Sequence, residues 1–426
     1  MRMTWFFFLF VSFWPWEKDI DEVKKISVEI PTDPALLERV RVALFYEKRK
    51  VLISIPSDYE VEGVPGGHAL VGGPSLAPTL VRPEPSGIRV GTALYPVSGL
   101  RFTGGATEVE VDKKKYHAAI QVLKNPAGSL TVVNEIDVED YLKGVVPREM
   151  LSTWPEEALK AQAVISRTYA LFKNIENKDY PFTLSADVGS QVYGGEAAEH
   201  SLATRAVEKT RGEILTHRGE IFAAFFHSTC GGRTTRADYQ WKVKPHPSLK
   251  GVECSFCAGS PFYRWKAEYS AAEIENLLAK KGQRISGVRS ISAEKLDFSG
   301  RPRTYEIRHA SGTLKLAAND FRRALGPDKM RSTLMQVQKE GDKFIFLGRG
   351  WGHGVGLCQW GAKRLAELGY RYQDILRYYY PDSEIRNVDE LLSRSIPATR
   401  AGREKKREGN FLKNWFGKVK EYVEDL

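Results

Sequence analysis

The sequence predicts an α+β protein: a β-rich N-terminal region, a mixed α/β body and a basic C-terminal tail. Three observations predict it. Between residues 30 and 135, short β-branched segments are separated by Gly, Pro and Asp clusters. A capped, helix-period run follows at Thr153-Trp154-Pro155-Glu156. Helical and strand patterns then intermix through the second half. A chain of 426 residues that is 42% hydrophobic can bury one large core or two ordinary ones, and two lobes are expected. The boundaries read as a leader at 1–25, a β-rich region at 26–135, a body at 136–390 and a basic linker with a terminal amphipathic helix at 391–426.

In chain order, Met1-Arg2-Met3 begins a basic start, followed by mostly apolar residues from Trp5 to Trp16 and then Glu17-Lys18-Asp19. That run is shorter than the ~20 residues a bilayer span needs and has the length of a signal-peptide core, so it reads as an export signal or retained anchor. Strands are expected at Val40 to Phe45, Lys50 to Ile55, Ile88 to Val90, Thr107 to Val111 and Ala119 to Leu123. Glu62 to Pro85, dense in Gly and Pro, reads as a loop excursion.

In the first helix, Thr153 and Glu156 suit a capping box and Pro155 suits the first turn. Ala158, Ala161, Ile165, Tyr169 and Phe172 recur as a narrow apolar stripe. Further helices are expected at Ser270 to Lys281, Ala318 to Leu325, Gln359 to Leu368 and Tyr372 to Tyr380, with strands near Arg303 to Ile307 and Phe344 to Leu347. Arg400, Arg403, Lys405, Lys406 and Arg407 precede Leu412, Trp415, Val419, Tyr422 and Val423 at helical spacing. Such a helix suits a membrane surface or its own domain, which leaves membrane association open at either terminus.

Three stretches carry candidate chemistry. In Asp140-Tyr141-Leu142-Lys143-Gly144-Val145-Val146-Pro147-Arg148-Glu149-Met150, apolar neighbours flank Glu149. Desolvation there would raise its pKa and suit a general acid, whereas a helix N-terminus would make it an ordinary first-turn acid. In Phe225-Phe226-His227-Ser228-Thr229-Cys230-Gly231-Gly232, Cys230 and His227 precede Cys254-Ser255-Phe256-Cys257. Three sulfurs and one nitrogen make a tetrahedral zinc set; a disulfide, favoured by export, and free thiols are the other readings. The third stretch is Gly348-Arg349-Gly350-Trp351-Gly352-His353-Gly354-Val355-Gly356-Leu357-Cys358-Gln359-Trp360-Gly361-Ala362. Its glycines imply a tight backbone track around His353 that admits a bulky ligand, and it lacks the phosphate-binding fingerprints.

Together the three stretches resemble the stage II sporulation protein D and amidase enhancer family, from about Gly91 to Asp382. The resemblance rests on Asp-Tyr-Leu-Lys-Gly-Val-Val-x-x-Glu-Met, the His-Ser-Thr-x-Gly-Gly turn and Gly-His-Gly-Val-Gly-x-x-Gln-x-Gly-Ala. It implies a lytic transglycosylase that cleaves peptidoglycan between N-acetylmuramic acid and N-acetylglucosamine without water, leaving 1,6-anhydro ends, with no cofactor required for the chemistry. By motif position the catalytic acid is Glu149, and Lys160 and Arg167 stand where the family keeps basic residues on the next helix. His353, Gln359, Gln191 and Tyr193 are the candidates for holding substrate. The implied partners are glycan strands and an N-acetylmuramoyl-L-alanine amidase, and the implied location is the cell envelope after export. A wall-binding module that activates such an amidase is the alternative.

Two departures stand out. The family keeps a zinc-binding His and Cys cluster just upstream of the Gln-x-Tyr segment, and Leu184 to Gly189 has neither residue, so a structural zinc here would use Cys230, Cys254, Cys257 and His227. Cys358 stands where the family more often has Ser. The net charge of +10 favours an anionic partner: nucleic acid, an anionic membrane face or wall polymer. The basic residues are spread out and no nucleic-acid motif is present, so nucleic acid ranks last.

Overall fold

In the computed structural model, residues 24–105, 108–187 and 189–395 are described. The leader at Trp5 to Trp16 and the basic tail with its helix from Leu412 lie outside these residues. Among the described residues, no helix is long and apolar enough to cross a membrane.

Two antiparallel sheets fill the N-terminal part. Residues Arg39–Lys48, Leu130–Asp137, Ala119–Lys124, Gly99–Gly104, Tyr59–Val64 and Ala69–Gly73 lie side by side in a seven-stranded sheet. Its remaining strand, Leu184–Ser185, pairs in parallel with Arg39–Lys48. The second sheet orders Lys114–Tyr116, Val109–Val111, Val51–Ile55, Leu76–Glu84, Gly87–Val90 and Ala93–Tyr95. Alternation sets the faces: along Val51–Ile55, Val51, Ile53 and Ile55 are buried while Leu52 and Ser54 between them are only half-buried.

The expected loop at Glu62 to Pro85 is instead mostly strand, at Tyr59–Val64, Ala69–Gly73 and Leu76–Glu84. The two prolines inside these strands, Pro78 and Pro83, do not break the pairing because each has a neighbour strand on one side only. Residues 76–81 pair with Val51–Ile55, and residues 81–84 pair with Gly87–Val90. Pro78 and Pro83 therefore sit where no ladder donor is required of the open side.

Helices longer than one turn are numbered in chain order: α1 (Val138–Glu149), α2 (Glu156–Glu176), α3 (Ser201–Lys209), α4 (Ala271–Ala279), α5 (Ala318–Leu325), α6 (Gln359–Glu367), α7 (Tyr372–Tyr379) and α8 (Val388–Ser395). Helix α1 follows directly on the strand Leu130–Asp137, and the Asp137 carboxylate accepts from Glu139 N at 2.8 Å to cap it. Glu149 is thus the last residue of a helix, neither between elements nor in a first turn.

Helix α2 packs against α1, α3, α6 and α7. The narrow stripe expected of it is exceeded: every residue from Ala161 to Asn174 is buried, so the helix is a central pillar. Its N-cap is Pro155, with no side-chain cap from Thr153. Glu156 is instead engaged by Lys160 at 3.4 Å and Lys209 at 2.7 Å.

The body read as one region at 136–390 holds two cores. One cluster draws on residues from Val28 to Cys257 and again from Val355 to Val388 and joins the β-rich region to α1, α2, α3, α6 and α7, so residue 135 is no core boundary. A separate core lies within residues 264–349. There the strands Arg264–Ser270, Lys343–Arg349 and Met335–Glu340 form one sheet and Ser290–Leu296, Pro302–His309 and Gly312–Ala317 another. Helices α4 and α5 close it around Phe321, Tyr305 and Phe346. This unit is inserted between the second and third motifs. Helix α8 spans the point at 391 where the basic linker was expected to start.

Candidate active site

The site is built at the C-terminal end of α1. Val138, Tyr141, Leu142, Val145 and Val146 are buried at helical spacing and fix which face α1 turns inward. Gly144 lets α1 sit against the following loop, since a Cβ there would meet the Tyr193 ring at 2.7 Å. At the helix end, Glu149 Oε1 accepts from Val192 N at 2.9 Å. Its backbone oxygen, one of the carbonyls a helix end leaves unpaired, accepts from Gln359 Nε2 at 3.0 Å. Gln359 Nε2 also donates to Gln162 Oε1 at 3.3 Å, so Gln359 ties α2 and α6 to the end of α1, while the 191–193 loop meets the Glu149 carboxyl.

Burial pushes the Glu149 carboxyl above the usual carboxylate range, against the Val192 N–H, the Gln359 amide and the Arg148 charge, which pull it down. The negative pole of a helix C-terminus acts in the same direction as burial, opposite to the first-turn environment considered from sequence. A carboxyl that holds its proton and still reaches the surface can donate it.

The second and third motifs are joined by a parallel pair, Phe226 with Leu357 and His227 with Cys358. A further bridge links Thr229 and Trp351, and Trp360 N donates to Ser228 O at 3.1 Å. His353 lies edge-on to Phe225 and His227 with Trp241 beside it, ring centroids 5.8, 5.6 and 5.1 Å away. Burial first, then the neighbouring His227 imidazole and the Arg322 charge, hold His353 well below the usual imidazole range, so it is neutral and its Nδ1 accepts from Val355 N at 3.1 Å. Next to Gln359, half-buried Trp360 meets Trp154 edge-on at 5.2 Å, with Lys363 Nζ 5.5 and 5.9 Å from the two rings. This pairing of rings was not singled out from the sequence, although Trp154 lies five residues after Glu149 and Trp360 directly follows Gln359.

The other expected residues divide. Gln359 reaches Glu149, as described. Gln191 and Tyr193 lie behind it: Gln191 Oε1 accepts from Tyr141 Oη at 3.3 Å, and Tyr193 Oη donates to Asn134 Oδ1 at 2.9 Å. Both are almost wholly buried, so they support the loop that carries Val192. Lys160 lies at the edge of α2, bonded to Glu157 at 2.6 Å. Arg167 is not at a substrate surface. It is fully buried, donates to both Glu139 oxygens at 2.7 and 2.6 Å, and reaches Glu213 O at 3.0 Å. Seven residues along α2 keep the two cations on one side of the helix, but its neighbours cover only Arg167.

The expected metal set also changes. Cys230, Cys254, Cys257 and Cys358 are all buried, and their sulfurs lie within 4.8 Å of one another. His227 is not among them. Its Nδ1 donates to Val355 O at 3.1 Å, and its Nε2 is buried with no partner among the described residues. Burial, then Arg301, pushes its pKa down to about 3.

Comparison with known proteins gives this geometry a context. A family model described as stage II sporulation protein matches residues 126–217, which include Glu149, α2 and Val192. A model of a domain of unknown function matches residues 253–356, which cover the inserted unit. An uncharacterized protein of Brachyspira hyodysenteriae is 36% identical over 258 residues, 60% of this chain and 68% of that protein. The amidase enhancer of Bacillus subtilis is 29% identical over 288 residues, and the match covers 57% of this chain and 40% of the enhancer. Stage II sporulation protein D of Bacillus subtilis is 31% identical over 281 residues, 62% of this chain and 78% of that protein. With that identity and coverage, the chain belongs to the stage II sporulation protein D family.

Proposed function

We propose that the chain is an exported peptidoglycan lytic transglycosylase of the cell envelope, with Glu149 as its general acid and base. The observation that carries this reading is a single carboxyl group, raised in pKa by burial, at the end of the first motif where the Val192 N–H and Gln359 of the third motif meet it. In the proposed reaction Glu149 gives its proton to the glycosidic oxygen as the bond to the N-acetylmuramic acid C1 breaks. The C6 hydroxyl of the same sugar attacks the oxocarbenium-like C1, and its proton returns to the Glu149 carboxylate. The carboxyl group ends as it began and no water is consumed. One acid therefore suffices, where hydrolytic glycosidases use two.

Val192 N–H and the Gln359 amide steady the carboxyl and the backbone that bears it, and the Trp154–Trp360 step offers apolar ring faces against which sugar rings pack. The test compares intact and amidase-stripped peptidoglycan after incubation with the wild type and with Glu149→Ala. Anhydro ends made by the wild type alone support the reading. The similarity to an amidase enhancer favours a second reading, a wall-binding module that activates an N-acetylmuramoyl-L-alanine amidase. In that case Glu149→Ala leaves the stimulation of an added amidase unchanged and neither protein makes anhydro ends.

A further inference from the structure

We propose that Cys230, Cys254, Cys257 and Cys358 form a closed structural site for one zinc ion, with Cys358 in the place that sequence spacing gave to His227. Four thiols come from three separate parts of the chain. Cys230 lies in the turn after the strand Phe226–His227, Cys254 and Cys257 lie in the loop before the inserted unit, and Cys358 ends the strand Leu357–Cys358. All four are fully buried.

A zinc ion bound at ~2.3 Å to four sulfurs in a tetrahedron places the sulfurs roughly 3.8 Å from one another. Here every pair lies within 4.8 Å, and Cys230 and Cys257 are 3.4 Å apart. The sulfurs are grouped as a tetrad and not as two separated pairs. No imidazole or carboxylate belongs to the group among the described residues.

Hydrogen-bond donors and a buried cation surround the sulfurs. Cys230 N donates to Cys358 Sγ at 3.2 Å, and Tyr379 Oη stands 3.1 Å from Cys254 Sγ, where its hydroxyl can donate. Arg301 is a fully buried cation beside the tetrad; its Nη2 donates to Cys230 O at 2.5 Å and its Nη1 to Arg233 O at 2.8 Å. A buried guanidinium calls for buried negative charge. Binding supplies it: Zn²⁺ displaces four thiol protons and leaves a centre of net charge −2, whose attraction Arg301 shares. No electron moves and no oxidant is needed. The packing also leaves no room for a fifth group, since a Cβ on Gly361 would lie 2.9 Å from Cys254 Sγ and would run into Tyr379 Oη. With four protein ligands and no open position, the ion would be structural.

Its place explains what it would do. Cys358 is the N-cap residue of α6 and the next residue, Gln359, holds Glu149. The ion would pin the second motif, the loop before the insert and the start of α6 to one another, and so set Gln359 and Trp360.

The experiment uses the full chain purified without chelator or refolding. Elemental analysis is expected to find about one zinc per chain, with release by a mercurial in proportion to thiols titrated. Cobalt exchange is expected to give the intense near-ultraviolet sulfur-to-metal bands of a tetrathiolate. His227→Ala is expected to keep its metal and Cys358→Ser to lose most of it. Wild-type protein that carries no metal and shows its cysteines paired in disulfides by mass would overturn the proposal, whether or not any variant folds. So would cobalt bands showing a nitrogen ligand together with metal loss in His227→Ala.

Discussion

Arg167→Met separates a residue of the fold from a residue of the groove. In the native state the guanidinium is 0% exposed and makes two charge-assisted bonds to Glu139 at 2.7 and 2.6 Å. Methionine fills much of the same volume but leaves Glu139, itself 5% exposed, with Gly212 N at 3.1 Å as its remaining hydrogen-bond donor. Stranding one member of a buried ion pair costs about 3–5 kcal/mol. At roughly 2–4 °C per kcal/mol for a core of this size, the melting temperature should fall by about 6–20 °C. The assay is thermal and urea unfolding followed by circular dichroism, with glycan binding measured well below the variant's transition. Binding per folded molecule should be unchanged. The double variant Glu139→Leu/Arg167→Met should recover much of the loss, because no charge is then stranded. A melting temperature within a degree of the wild type, combined with lost glycan binding, would refute the reasoning and return Arg167 to the substrate.

Burial and packing elsewhere in the fold set three further outcomes. Because burial raises the Glu149 pKa in the folded state, wild-type stability is fully present below the unfolded value of 4.5 and falls as pH rises through the raised one; Glu149→Gln lacks that fall, so its advantage in unfolding free energy should grow across this window, and a pH-independent difference would contradict it. His246 is pushed down to about 4 by burial and then by His217, so the wild type should lose stability as pH drops from 6.5 towards 4, by up to roughly 1.4 kcal/mol per pH unit, and urea titrations of His246→Asn should show a shallower acid limb. Gly361→Ala places a methyl group against Tyr379 Oη and the Cys254 sulfur inside a packed core, so its melting temperature should fall clearly below that of Gly259→Ala, whose Cβ meets nothing within 4 Å and whose φ is not in the left-handed region.

Much of this was legible in the sequence where the pattern was periodic. The strand Ala119–Lys124 and helices α5, α6 and α7 lie close to where alternation and helical spacing put them. Helix α1 carried the same signal, with Val138, Tyr141, Leu142, Val145 and Val146 at helical spacing, but Gly144 and Pro147 disguised it; Pro147 lies inside the helix and has no N–H to give the carbonyl four residues back. The strands within Glu62 to Pro85 were hidden for the opposite reason, since composition cannot reveal that Pro78 and Pro83 each have an unpaired side. Glu149 was readable from its apolar flanks, whereas its position at a helix end and its link to Gln162 required the long-range meeting of α1, α2 and α6. Arg167 and Cys358 show the limit most plainly. A cation at a family position says nothing of what covers it, and the fourth thiol joins the other three only because the strands Phe226–His227 and Leu357–Cys358 pair.

The most direct test of the central claim is mass spectrometry of peptidoglycan digests, with intact and amidase-stripped strands each treated with wild type and with Glu149→Gln of confirmed fold. The account predicts 1,6-anhydro-N-acetylmuramic acid ends from the wild type, at least 100-fold fewer from the variant on the scale of a lost general acid, and no reducing ends from either. Equal numbers of anhydro ends from both proteins, or reducing ends from the wild type, would contradict it.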